Sequence, residues 1–67
     1  MYRISKRLLG VAMLNAGVRS AKELASLSGI SPNTISRMNN GGRVKLNTVL
    51  ALAKALSVEP EEILEGV

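Results

Sequence analysis

Apolar residues recur along this chain at helical spacing, and no stretch alternates with the period of a strand. A first helix is predicted from about Arg3 to Ala16, with Ile4, Leu8, Val11 and Ala12 along one face and Leu9 and Met13 widening it. Gly17 is its natural stop. A second helix opens on the SAKE stretch from Ser20 to Glu23, a capping box in which the two side chains satisfy each other's end amides. It presents Leu24, Ala25 and Leu27 and closes at Gly29. A third starts with Ser31 as N-cap and Pro32 at the first helical position, where a missing N–H costs nothing. Ile30 and Ile35 staple that start from either side. A fourth runs from Leu46 to Ser57, with Val49, Leu50, Ala53 and Leu56 as its buried stripe and Leu52 beside it. A last helical turn begins at Pro60, with Val58 stapled to Ile63. Five helical segments without repeats or linkers predict one compact all-α domain over residues 1–67.

The third segment is the odd one. Only Ile35 and Met38 read as core, while Pro32, Asn33, Ser36, Arg37 and Asn40 face outward. A helix this short is marginal alone, because nucleation fixes several dihedrals for one hydrogen bond. Its start is nonetheless heavily specified, which implies a working outer face held in place by caps and packing.

Charge sharpens that picture. Residues 1–58 carry all nine Lys and Arg against the single acid Glu23, a net +8, whereas residues 59–67 carry Glu59, Glu61, Glu62 and Glu65 with no base, a net −4. A basic body with an acidic end suggests a polyanion-binding surface and a tail directed away from it. Cysteine and histidine are absent, so no disulfide framework or thiolate metal site is available. With four of five carboxylates bunched near the end, no acid–base or metal constellation assembles, and neither an enzyme nor a cofactor is expected. The basic start and the apolar run from Leu8 to Leu14 loosely imitate a secretory signal, but Asn15 ends the run and the stretch reads as the first helix. No segment approaches the roughly 18 apolar residues of a membrane span.

The stretch ELASLSGISPNTISR places a helix, a turn of about three residues and a second helix in the order of a helix-turn-helix, whose second helix enters the major groove. Arginine suits the two acceptors of guanine and asparagine suits adenine, each through paired hydrogen bonds. Pro32, Asn33, Ser36 and Arg37 are therefore the candidate base-contacting residues. Ser36 reaches either kind of edge, and Pro32 packs on a thymine methyl. Arg43 and Lys45, on the adjoining NNGGRVK loop, are candidate phosphate contacts.

These residues resemble the lambda-repressor-like, Cro/C1-type (XRE family) helix-turn-helix domains. The family pattern appears as Leu24-Ala25, Gly29-Ile30-Ser31 and Thr34-Ile35-Ser36-Arg37, and its fourth helix as LALAKALSV, Leu50 to Val58. The resemblance covers roughly residues 4–64 and implies binding of double-stranded DNA, usually as a homodimer on a palindromic operator. It implies base contacts at the same Pro32, Asn33, Ser36 and Arg37. Phosphate contacts fall at Ser20, Ala21 and Lys22 with Arg19 beside them, at Ser31, and at Asn40, Gly41 and Arg43. Three departures stand out. Ala21 occupies a position that often holds glutamine, Met13 and Asn39 replace a buried Arg–Glu pair, and the loop after the third helix is one residue short and lacks a proline. Losing both members of an ion pair together leaves no orphan charge.

The expectation is thus a sequence-specific regulator, a repressor of bacterial, phage or mobile-element origin, cytoplasmic and nucleoid-associated. It has no membrane partner and no small-molecule effector. Ile63, Leu64 and Val67 are the favoured dimer contact, with the first helix (Leu9 or Met13) as the other option. The competing reading is an antitoxin-like or adaptor protein-interaction module on the same fold. A membrane-surface peptide built on the basic N-terminus is a third.

Overall fold

The N-terminal residues do not join the first helix. In the computed structural model, which describes residues 1–65, Tyr2–Arg3 form a short strand, β1, and helix α1 spans Lys6–Ala16. There follow α2 (Ala21–Ser28), α3 (Pro32–Asn39), strand β2 (Arg43–Val44), α4 (Leu46–Leu56) and a single 3₁₀ turn, Pro60–Glu62. The five-helix expectation is corrected to four α-helices, one 3₁₀ turn and a two-stranded antiparallel sheet among the described residues.

Ser5 explains where α1 begins. Its hydroxyl accepts the Leu8 N–H at 3.2 Å, the usual N-cap bond, so the residues before it are free to pair elsewhere. They pair on both edges. Tyr2 lies opposite Val44 and Arg3 opposite Arg43 in the β1–β2 ladder. On the other side the Glu65 N–H donates to the Arg3 carbonyl and the Ser5 N–H to the Ile63 carbonyl, both at 2.8 Å. The first five residues thereby join the loop after α3 to the C-terminal segment.

The core draws on every layer. Leu24 of α2, Ile35 of α3, Val49 and Leu52 of α4, and Ile63 are essentially inaccessible, and Ile4, Leu9, Val44 and Leu56 close around them. Each such side chain contributes roughly 1.5–3 kcal/mol by burial. Two helix faces are rotated from the sequence reading. Leu9 and Ala12 turn inward on α1 while Leu8 and Val11 are exposed, and on α4 Leu52 is buried while Leu50 is exposed. Once Ile4 leaves the helix to sit against the tail, the inward stripe no longer has to include its helical neighbours Leu8 and Val11.

Ile63 has no accessible surface, so its assignment to a dimer contact is withdrawn: its side chain already fills the core. Leu64 is half-buried against the same core and bridges to Ile4. Val67 lies outside the described residues. The acidic segment also has structural duties, because Glu59 and Glu62 form a capping box around the 3₁₀ turn, with the Glu59 N–H donating to Glu62 Oε2 at 2.7 Å.

Candidate nucleic-acid interface

α3 is positioned from both ends. At its start the Ser31 hydroxyl accepts the Thr34 N–H at 3.3 Å and lies 2.9 Å from Thr34 Oγ1. Pro32 occupies the first turn. At its end the Gly41 N–H donates to Met38 and the Gly42 N–H to Arg37, with Gly41 in the left-handed region at φ 87°. This is a Schellman closure, and the left-handed residue is the one that glycine tolerates without penalty. Between the ends, Ile35 and Met38 are buried. An eight-residue helix needs this support, since isolated helices of that length are marginal in water.

The turn between α2 and α3 is held by a residue that sequence reading passed over. Ser28 donates its hydroxyl proton to the Leu24 carbonyl at 2.7 Å and accepts the Ile30 N–H at 3.3 Å. One side chain thus bonds to α2 and to the first residue beyond Gly29, which is itself left-handed at φ 74°. A serine directly before the closing glycine was the available signal.

With the inner edge fixed, Pro32, Asn33, Ser36 and Arg37 all face solvent on one exposed side of α3. Among the described residues, their side-chain polar groups make no hydrogen bond to another side chain. Beside this edge lies an open cleft of about 270 Å³ lined by Arg37, Arg43, Lys45, Thr34, Thr48, Val44 and Met1. Three cations and two hydroxyl-bearing side chains converge there. The one ion pair among the described residues joins Arg3 to Glu65 at 3.4 Å, so Arg37, Arg43 and Lys45 have no acidic partner. Thr34, Thr48 and Met1 were not expected at the site. Met1 arrives with β1, and Thr48 sits in the first turn of α4.

The remaining candidates divide by place. Asn40 and Gly41 belong to the closure between Arg37 and Arg43, and both are exposed. Arg19, Ser20, Ala21 and Lys22 form the exposed start of α2 and do not line the cleft. There the Ser20 hydroxyl accepts the Glu23 N–H at 3.1 Å, one half of the expected capping box. The N–H groups of Ala21 and Lys22, the first two helical residues, have no intrahelical carbonyl to bond to.

Two helices joined by a tight glycine turn, the second presenting a polar edge beside a cationic cleft, define the helix-turn-helix class of DNA-binding domain. The Cro/C1-type HTH DNA-binding domain family matches residues 9–67, and the chain belongs to that family. Among solved structures it is similar to part of Streptomyces albus HEPD, determined with the substrate 2-hydroxyethylphosphonate and Fe(II) bound. The identity is 26% and the TM-score 0.71, over 85% of this chain and 13% of that one. This chain therefore spans a small part of that protein's length. A comparison with curated proteins finds no match. Among the described residues no helix is long and apolar enough to cross a membrane.

Proposed function

We propose that this domain is a sequence-specific transcriptional regulator that lays α3 in the major groove of double-stranded DNA and represses by occupying its operator. The observation that carries the reading is the exposed edge of Pro32, Asn33, Ser36 and Arg37 beside a cleft whose three cations lack acidic partners among the described residues. Arg37 offers paired donors to the N7 and O6 of guanine, and Asn33 offers a donor and an acceptor to adenine. Ser36 meets either base edge, and Pro32 packs on a thymine methyl.

Phosphates on one side meet Arg43 and Lys45 in the cleft, with the Thr34 and Thr48 hydroxyls and the Asn40–Gly41 backbone around them. Phosphates on the other side meet the start of α2, where the N–H groups of Ala21 and Lys22 and the positive end of the helix attract an anion. Arg19, Ser20 and the Lys22 ammonium add to that grip, and Ser31 lies between the two sides. The protein acts as a homodimer on a palindromic operator, so that two recognition helices read equivalent half-sites. A regulator of this kind works in the cytoplasm, on the nucleoid.

Selection of bound duplexes from a random pool, at stated salt, tests the reading. A recovered palindrome, with binding that weakens steeply as salt rises, is the expected result. Absence of binding to any duplex at low salt would overturn it.

A further inference from the structure

The outer face of the small sheet carries a row of charge that runs on beyond the cleft. Arg3 of β1 lies opposite Arg43 on one side. On the other side the Ile4–Leu64 bridge, with the bond from the Glu65 N–H to the Arg3 carbonyl, sets Arg3 opposite Glu65. Directly opposed residues of an antiparallel pair project to one face, and neighbours along a strand project to opposite faces. Burial agrees with this alternation. Ile4 and Val44 are buried, whereas Met1, Arg3, Arg43, Lys45 and Glu65 are exposed. Met1, Arg43 and Lys45 line the cleft, so Arg3 stands on the cleft's own face of the sheet, one strand beyond Arg43.

Like charges set directly opposite each other repel, and such a pair has its Cβ atoms about 5 Å apart. Glu65 answers only part of that repulsion. Its Oε1 lies 3.4 Å from Arg3 Nη1, longer than the roughly 2.7–2.9 Å of a tight charge-assisted bond. The two side chains are 48% and 52% exposed, and pairs this open contribute little to stability, so they change partners at small cost. Arg43, on the other side of Arg3, has no acidic partner among the described residues. A phosphate held at Arg43 is therefore within one strand spacing of Arg3, whose guanidinium is shared with a weakly held carboxylate. The acidic end is not wholly directed away from the basic surface, because Glu65 folds back onto it.

We propose that Arg3 is a further phosphate-binding residue of this domain, and that the Glu65 carboxylate competes with the DNA backbone for its guanidinium. Glu65 then lowers affinity for every sequence alike, since the ion pair must open before Arg3 can take a phosphate. The inference rests on the DNA-binding reading, and adds to it one contact from β1 and one acid that opposes the contact.

Binding titrations over a range of salt, on two duplexes of equal length and unrelated sequence, test it. Four proteins are compared: wild type, Glu65→Gln, Glu65→Gln with Arg3→Gln, and Glu61→Gln. Glu61 is exposed on the 3₁₀ turn, outside the row, and controls for the change in net charge. Glu65→Gln should tighten both duplexes by about threefold to tenfold and steepen the logarithmic salt dependence by about one counterion. Adding Arg3→Gln should remove both gains, and Glu61→Gln should give neither. Unchanged affinity and slope in Glu65→Gln overturn the proposal, as does an equal gain from Glu61→Gln or a gain that survives Arg3→Gln. In those three cases the wild type still binds DNA and the DNA-binding reading stands. Failure of all four proteins to bind either duplex at low salt would overturn that reading, and the proposal with it.

Discussion

Gly42 lies directly against the end of the recognition helix: its N–H donates to the Arg37 carbonyl at 2.8 Å, and a Cβ on Gly42 would stand 2.8 Å from the same oxygen. That oxygen is backbone and cannot swing aside. The hydrogen bond closes α3 and starts the run into Arg43, so one contact couples the base-reading edge to the cationic cleft. Gly42→Ala is therefore expected to destabilise the domain by about 1–3 kcal/mol through overpacking. Urea unfolding should show a lower midpoint with an unchanged slope. An unchanged midpoint would mean that the loop yields without cost.

Arg37 stands at a junction, on the exposed edge of α3 and also at the rim of the cleft. Assigned to a guanine, its loss has a local signature. Arg37→Ala should cost about 1–3 kcal/mol at one base pair of the selected site and relax the preference there. The check is a set of binding titrations against single-base variants of the operator. A uniform loss across all sequences would move Arg37 to the phosphate contacts instead.

Arg43 is expected to behave in the opposite way. It sits on β2 and lines the cleft, and among the described residues no carboxylate is near enough to pair with it. Its partner in the ladder is Arg3, a like charge, and Glu65 engages Arg3. Arg43→Ala should weaken binding to every duplex alike and flatten the logarithmic salt dependence by about one counterion. Loss confined to one operator position would contradict the phosphate role.

The parts of this site legible in the sequence are those that local chemistry dictates. Ser31, Pro32 and the buried Ile35 and Met38 specify the start and rotation of α3, and the outward set follows from them by helical geometry alone. What escaped was long-range. A strand as short as Tyr2–Arg3 has no period to detect, and its pairing with Arg43–Val44 depends on a partner some forty residues away. That pairing is what brings Met1 to the cleft and removes Ile4 from α1. The rotation of α1 has the same cause, since a helix begun at Arg3 would set Ile4, Leu8 and Val11 on one inward face. The tail misled for a related reason: an apolar residue near a chain end looks available until the core is seen to lack one side chain without it.

Ser57 carries a cost that the domain does not need. It ends α4 in the left-handed region at φ 57°, the described non-glycine residue with positive φ, while its N–H and that of Val58 close the helix onto Lys54 and Ala53. A side chain there costs about 1–2 kcal/mol, partly offset because glycine also frees the unfolded chain by about 0.4–1 kcal/mol. Ser57→Gly should thus stabilise by about 0.5–1 kcal/mol, visible as a higher melting temperature with DNA binding unchanged. A lower melting temperature would show that the Ser57 side chain contributes more than its backbone strain.

Ile63 decides between the two roles open to the C-terminal segment. Its side chain is fully buried, and its carbonyl accepts the Ser5 N–H at the N-cap of α1. Truncation therefore removes core volume and loosens the residues that tie β1 to the tail. Ile63→Ala should cost about 2–5 kcal/mol, a large share of the roughly 5 kcal/mol at the lower end of single-domain stabilities. Unfolding followed at two well-separated protein concentrations distinguishes the cases. A core residue lowers stability equally at both, whereas a dimer contact would lower it only where the wild-type chain is associated. The burial of Ile63 makes the concentration-independent loss the expected result, and a loss that appeared only at high concentration would return the tail to the interface.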